Sequence, residues 1–479
     1  MPRLKEFLAP LVYLSSNATS LAGVVMVTTA SLLWIILLPS FIRGEPRDAY
    51  AGILEFMLLP GLFFLGLVLI PLGIHIYRRR HRNELPPVFP AIELANPRFR
   101  RLLLFIAVTT GINIIIGGQL SYRAVSYMET PVFCGQTCHT VMKPEFTAYQ
   151  NSPHARVPCV SCHIGPGANW FVKSKLSGTW QVISVTFNLY ERPIPTPVKA
   201  LRPARETCEV CHWPQKFGGN RIKIVDTFTD DEQAKHLKTV LLMKIGGGGG
   251  YEGIHGAHMG PGVHIEYAPL DEKRQTIPWV RYERNGQATV FRAEKFTDAD
   301  LAKLQQRTMD CIDCHTRPSH SFQLPERAID AALAGGSLDT SLPFVRKTAL
   351  EIIKVNYATT AASESEIPRR FEEFYRKNYP AVWQARADSV ERSARAVLAA
   401  YSRNVFPEMR VTWGAYPNNI GHTDYTGCFR CHDERVGDKP GKTIPQDCNT
   451  CHELLAQDEA APKILADLGL APAAPAAAK

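Results

Sequence analysis

Five sets of residues in the sequence share the spacing Cys-x-x-Cys-His. They are Cys159/Cys162-His163, Cys208/Cys211-His212, Cys311/Cys314-His315, Cys428/Cys431-His432 and Cys448/Cys451-His452. A sixth set, Cys134-Gly135-Gln136-Thr137-Cys138-His139, has one residue more between its cysteines. The chain has 12 cysteines, and the six sets use all of them. Two close thiols followed at once by an imidazole suit covalent haem. The thiols form thioethers with the haem vinyl groups, and the imidazole takes an axial position on the iron. Zinc knuckles and redox disulfides also use Cys-x-x-Cys, but neither requires a histidine after the second cysteine every time. The sequence predicts six covalently bound haem c groups. At the irregular set the extra residue must bulge out of the loop, and Gly135 suits a bulge because glycine reaches backbone angles that other residues avoid. The alternatives there are no haem, or haem held through one thioether.

Six motif histidines leave nine of the 15. His75 and His81 belong to apolar or basic segments described below. The others are His154, His236, His255, His258, His264, His320 and His422. Seven candidates for at most six open axial positions is a close match, and two histidine ligands suit low-potential electron transfer. His154 lies five residues before Cys159, His320 five after His315, and His422 six before Cys428. The stretch "GIHGAHMGPGVH" offers His255, His258 and His264 in a glycine-rich loop that can fold closely over haem. His154, His320 and His422 are the expected distal ligands, joined by His255 and His258. His236, on an expected helix surface, is the weakest. Met142, three residues after His139, is a candidate sulfur ligand at the first set, against ordinary packing.

These residues need a scaffold and a compartment. Three apolar runs precede the first motif, at about Thr19 to Ile42, Tyr50 to Tyr77 and Leu102 to Leu120. Each is long enough to span a bilayer at ~20 residues. The first run starts late and lacks a small-residue cleavage site, so it reads as a retained anchor. The segment between the second and third runs carries Arg78, Arg79, Arg80, Arg82, Arg98, Arg100 and Arg101, which puts it on the cytoplasmic side. Everything after about residue 120 then lies in the periplasm of a multi-pass bacterial inner-membrane protein. Covalent haem attachment also requires the outer side, so two independent arguments agree. Only His75 lies within a run, which argues against haem held between membrane helices. Glu55, about one turn inside the periplasmic end of the second run, is a functional candidate; its plain alternative is snorkelling to the interface. Asn113 reads as helix–helix glue. The formal charge of +9 does not point to nucleic acid, because haem propionates would offset it.

The expected fold is mainly α, with three transmembrane helices and a periplasmic multihaem domain of little regular structure, its core largely porphyrin. A small β insertion falls at about 216–295. Within it Asn285-Gly286 marks a two-residue hairpin turn. Gly246 to Gly250 reads as a flexible loop and fits no phosphate loop. Thr297-Asp298-Ala299-Asp300 resembles a capping box that starts a helix leading to Cys311. Segments near 342–357, 365–378 and 381–404 have helical periodicity. The expected organisation is a membrane domain 1–120, a four-motif haem domain 121–330, a helical spacer 331–410, a C-terminal dihaem segment 411–459 and a mobile tail 460–479. In "WFVKSKLSGTWQVI", Val172, Leu176, Trp180 and Ile183 share one helical face, as a helix lying in a membrane interface requires; the alternative is packing on haem.

An apolar helix directly before the first motif, "SPHARVPCVSCH", the Trp- and Lys-bearing segment after it and "CIDCHTRPSH" resemble the NapC/NirT family of membrane-anchored multihaem quinol dehydrogenases. The likeness covers roughly the third run through Cys314. Typical members have one anchor helix and four haems, so this chain is more similar to larger inner-membrane relatives in bacteria that respire extracellular acceptors. The resemblance implies menaquinol oxidation at the periplasmic membrane face, beside the first haem, with electrons passing to periplasmic multihaem or other c-type cytochromes. It also implies a quinol-binding lysine, carried onto Lys175 first and Lys173 second; Glu55 is the candidate proton acceptor. Two other readings stand beside this one. One is an electron conduit that docks to a separate quinone-reactive subunit. The other is a terminal nitrogen-oxide reductase, which needs an open iron position that the surplus of histidines argues against.

Overall fold

The computed structural model describes residues 14, 17–42, 58–81, 97–137, 139–165, 167–198, 201–213, 218–246, 250 and 252–470. The chain divides into two compact units, Met1–His139 and Thr140–Lys479.

The first unit contains helices α1 (Ala18–Ile42), α2 (Leu59–Arg80) and α3 (Pro97–Met128). Among the described residues, α2 is the one helix long and apolar enough to cross a membrane. Its last turn holds Arg78, Arg79 and Arg80. Small residues bring α1 and α2 together. A Cβ on Gly23 would stand 2.6 Å from the Gly66 carbonyl oxygen, and one on Gly66 2.7 Å from that of Gly23. Ser20 Oγ donates to the Ile70 carbonyl at 2.9 Å, and Trp34 packs on Phe63 with centroids 5.6 Å apart. Close backbone approach with a hydroxyl crossing between helices is how apolar helices associate without water to drive them. The third helix runs past the expected end at Leu120 to Met128. Glu55 and the loop residue Arg82 lie outside the described residues.

The second unit starts with most of α4 (His139–Gln150) and α5 (Ala168–Thr186). Its largest apolar core is not at the haem motifs. It lies among α6 (Pro325–Ala334), α7 (Val345–Ile353), α8 (Thr360–Asn378) and α9 (Pro380–Ser402), the region expected to be a spacer. Ile329, Val345, Ile353, Ile367, Phe371, Tyr375, Val390 and Val397 are all fully buried there. Each such side chain contributes about 1.5–3 kcal/mol on burial. Pro325 and Pro380 begin their helices, where the missing N–H costs nothing. Thr359 caps α8 through Ala362 N at 3.1 Å. Arg346 is held by Asp330 at 2.6 Å. The expectation of little regular structure is therefore corrected: about half of the described residues are helical, and this bundle has its own apolar core.

Two sheets complete the unit. Strands β1 (Arg221–Phe228) and β2 (His236–Met243) form a hairpin, and Phe228 and Ala234 reach into the helical core. Strands β3 (Val263–Ala268), β4 (Trp279–Arg284), β5 (Gln287–Arg292) and β6 (Arg307–Thr308) form the second sheet, in the order β5-β4-β3-β6. The β4–β5 turn sits at Asn285 and Gly286, whose φ values are +51° and +77°, as a two-residue turn of this class requires. Strand β7 (His452–Glu459) pairs with β2, so the expected β insertion takes in the C-terminal segment as well. The segment expected to be a mobile tail continues into a helix, Lys463–Asp467, that buries Leu465. The capping box forms, with Thr297 and Asp300 bonded reciprocally at 3.1 and 3.3 Å. Its helix ends at Leu301, short of Cys311.

Candidate cofactor site

Four of the five regular motifs are built on a single helical turn. Cys159–His163, Cys311–Cys314 and Cys448–Cys451 are α-helical, and Gly427–Arg430 is a 3-10 turn. The set at Cys208 and Cys211 departs from this pattern. Its helix, Ala204–Cys208, ends at the first cysteine, and Cys211 stands in the turn beyond it. Cys211 is exposed, whereas Cys208 is half-buried. The turn is nevertheless closed, with Cys211 N donating to the Cys208 carbonyl at 3.1 Å, so the two cysteines stay one turn apart. His212, His315 and His432 donate their backbone N–H to the carbonyl of the first cysteine of their set, at 2.7, 2.8 and 3.1 Å. That bond keeps each imidazole close to its thiols.

At the irregular set the extra residue is absorbed by a π-helical turn, Phe133–Thr137. A π turn accommodates one added residue within a helix, so the bulge needs no left-handed glycine. Gly135 is buried in it. The Thr130 hydroxyl caps the turn by accepting from Phe133 N at 3.2 Å. Cys138 and the side chain of His139 lie outside the described residues.

Each of the other five motif histidines faces a second histidine. The ring centroids are 6.0 Å apart for His154 and His212, 6.1 Å for His163 and His320, and 6.3 Å for His255 and His315. They are 5.8 Å apart for His258 and His432 and 6.1 Å for His422 and His452. A metal–imidazole bond is about 2 Å long and the ring centre lies about 1 Å beyond its nitrogen, so two axial imidazoles on one ion stand roughly 6 Å apart. Five gaps of one size, each beside a thiol pair, fit haem iron. Burial lowers the pKa of His163, His255, His258, His315, His320 and His452. The rings are then neutral at neutral pH, the state a metal ligand needs. Among the described residues no three His, Cys, Asp or Glu side chains group as a metal cluster would. Burial pushes the Cys431 thiol up to about 11, which does not suit thiolate ligation.

The partners are not the ones that sequence spacing suggests. His154 precedes the second set but faces the motif histidine of the third, and its Nδ1 donates to the Pro318 carbonyl at 3.3 Å. His320 follows the fourth set but faces the second. His422 precedes the fifth but faces the sixth. The glycine-rich stretch is not an open loop around His255 and His258. It is a short helix, Gly253–Met259, which precedes β3. The remaining candidates are engaged elsewhere. His236 bonds Asp226 at 2.6 Å and stacks on Phe228. His264 sits on β3 with Glu266 at 3.6 Å. Met142 is half-buried in α4.

Groups around these pairs were not legible in sequence. Glu145 accepts from His320 Nδ1 through its carbonyl at 3.0 Å, and its carboxylate lies 3.4 Å from the same nitrogen. Arg317 holds that carboxylate at 2.5 Å and stacks on Tyr416. Tyr267, fully buried, donates to Asp313 at 2.6 Å; burial and then the Asp313 charge raise its pKa far above the ordinary range.

Helix α5 carries the expected interfacial segment. Leu176, Trp180 and Ile183 are exposed on it at 69%, 60% and 40%, and Phe187 at its C-cap at 69%. Lys173 stands over the Trp170 ring at 4.6 Å, and Lys175 is half-buried. The side chain of Val172 lies outside the described residues.

Paired thiols, each followed by an imidazole that faces another, define a c-type cytochrome, with haem bound covalently and electron transfer as its chemistry. No family model and no solved structure matches the chain. It is similar to the cytochrome c-type protein ImcH of Geobacter sulfurreducens, 39% identical over 447 residues, which are 92% of this chain and 88% of that protein. The chain belongs to the family of ImcH.

Proposed function

We propose that the protein is a hexahaem cytochrome of the bacterial inner membrane that oxidises menaquinol and passes electrons to periplasmic c-type cytochromes. The observation that carries this reading is the exposed apolar stripe Leu176/Trp180/Ile183 on α5, continued by Phe187 at its C-cap, with two lysines on the same helix. A helix of this kind lies in a membrane interface, where a lipid-soluble quinol is reached. The resemblance of the segment to NapC/NirT proteins supports the same reading. Oxidation of one quinol to quinone releases two electrons and two protons. Bound haem supplies one-electron acceptors. Lys175 is proposed to donate a hydrogen bond to a quinol oxygen and favour its deprotonated form, with Lys173 as the second choice. Glu55 is proposed to accept a proton. Five facing histidine pairs support electron transfer over substrate reduction, because two protein ligands leave no open iron position at those five sets.

Lys175→Ala should slow haem reduction by a menaquinol analogue about tenfold, the value of one lost charge-assisted hydrogen bond. Glu55→Gln should slow it less, because water can replace the carboxylate. Reduction by dithionite should stay complete in both. Wild-type rates with quinol in both variants would overturn the site and favour a conduit that receives electrons from a partner.

A further inference from the structure

His255 and His258 are three residues apart on the short helix Gly253–Met259. Residues at this spacing lie on one face, yet the two rings face different motifs. His255 stands 6.3 Å from His315 of the fourth set, and His258 stands 5.8 Å from His432 of the fifth. His258 is fixed in its turn by Nδ1 donating to the Ile254 carbonyl at 2.7 Å. His432 Nδ1 donates likewise to the Pro445 carbonyl at 2.7 Å. The start of the helix permits no side chain. Gly253 has φ +70°, and a Cβ there would stand 2.5 Å from Gly246 N and 2.6 Å from the Lys244 carbonyl.

A second connection joins the same two motifs. Arg430 lies between Cys428 and Cys431, and Asp313 lies between Cys311 and Cys314. Arg430 is 8% exposed. Its Nη2 donates to the Asp313 carbonyl at 2.7 Å, its Nη1 to the Arg274 carbonyl at 2.9 Å and its Nε to the Gly427 carbonyl at 2.8 Å. Asn419 donates to the same Asp313 carbonyl at 3.1 Å. Arg274 returns to the Asp313 carboxylate at 2.7 Å. The guanidinium of one motif thus holds the backbone of the other. A planar guanidinium with fixed donors is well suited to such a fastening.

We infer that the Gly253–Met259 helix is a two-headed ligand strap, giving His255 to the iron at Cys311/Cys314 and His258 to the iron at Cys428/Cys431, and that Arg430 clamps these two motifs into one haem pair. This rests on the haem reading of the motifs and not on quinol oxidation. Arg430 touches neither iron position and acts as a positioning residue. The pair links the motifs of the 121–330 region to those of the C-terminal segment.

The test uses the purified full chain with its haems. Haem number is read by intact mass, and spin state by visible and electron paramagnetic resonance spectra. His255→Ala and His258→Ala should each produce one high-spin haem, and the double variant two. Gly253→Val should reproduce the double variant without touching a ligand. His255→Met and His258→Met keep a ligand and test variants whose alanine forms fail to fold: each should leave all haems low-spin and raise the potential of one. Arg430→Met should shift two haems in a mediated redox titration with the haem number unchanged, and Arg430→Lys should restore part of the shift. One high-spin haem in the double variant, or unchanged potentials in both Arg430→Met and the methionine variants, would overturn the inference. Fewer than five haems in the wild type would overturn the haem reading of the regular sets instead.

Discussion

Replacing Asp313 by alanine is expected to destabilise the second unit by about 4 kcal/mol, within the 3–5 kcal/mol typical when one partner of a buried ion pair is removed. Asp313 is 3% exposed. One carboxylate oxygen accepts from the Tyr267 hydroxyl at 2.6 Å and from Arg274 at 2.7 Å. The other accepts from the backbone N–H of Asp310 at 2.7 Å, which closes a capping box at the start of the motif. Alanine strands a fully buried hydroxyl, which costs about 1–3 kcal/mol, and leaves Arg274 without its counter-charge. Arg274 is 15% exposed at its side chain, so it recovers part of its loss by turning toward water. Tyr267→Phe removes one hydrogen bond and leaves the ion pair, so it should cost about 1.5–3 kcal/mol. The assay is guanidinium unfolding of the haem-loaded protein followed by near-ultraviolet and Soret dichroism, with both variants beside the wild type. An Asp313→Ala cost below that of Tyr267→Phe would refute the reasoning, because the ion pair would then contribute nothing.

Intact mass after denaturation should give six haems; five would show that one set, with Cys134 and Cys138 the first suspect, is empty. His320→Ala should give one high-spin haem, and an unchanged low-spin spectrum would sink that pairing. Glu145→Gln should raise the potential of one haem in a mediated titration, because the carboxylate near His320 Nδ1 makes that ring more electron-rich; no shift would exclude the role. Burial opposes the charge on Asp339, but hydrogen bonds from Ser341 and Ser389 and the charge of Arg386 outweigh it and hold its pKa at about 2. A depressed folded-state pKa gives stability that is present above the unfolded value of about 3.9 and is lost as pH falls toward the folded one. Acid unfolding should therefore steepen between about pH 4 and pH 2, and Asp339→Asn should flatten that range.

The chemistry was legible because thioether attachment fixes both residue type and spacing, and twelve cysteines left none over. The Asn285-Gly286 hairpin and the helices at Val345–Ile353, Thr360–Asn378 and Pro380–Ser402 were legible because turn chemistry and periodicity are local. Helix Pro325–Ala334 was not anticipated, and β1–β2 only as part of the β insertion at about 216–295, with His236 expected on a helix and found on β2, since each takes its meaning from a shared core assembled from distant segments. The histidines His154, His255, His258, His320 and His422 stood out by number. Their partners did not, because which gap a ring enters is set by tertiary packing. Glu145, Arg274 and Arg430 carried no sequence signal, as their roles exist only where two distant segments meet.

Strand β7 begins at His452, a motif residue, and pairs along β2, with Thr239 and Asp458 bonded across 219 positions of sequence. Contacts at such separation form late and slowly, since the loop entropy is lost before the contact is gained. The middle strand of that sheet therefore waits, one edge bare, until nearly the whole chain has been made. A product ending before residue 452 would present β2 as an open edge, and open edges recruit other strands. The last haem-bearing segment is thus also the piece that seals the sheet, and a chain cut short betrays itself by association before any electron is moved.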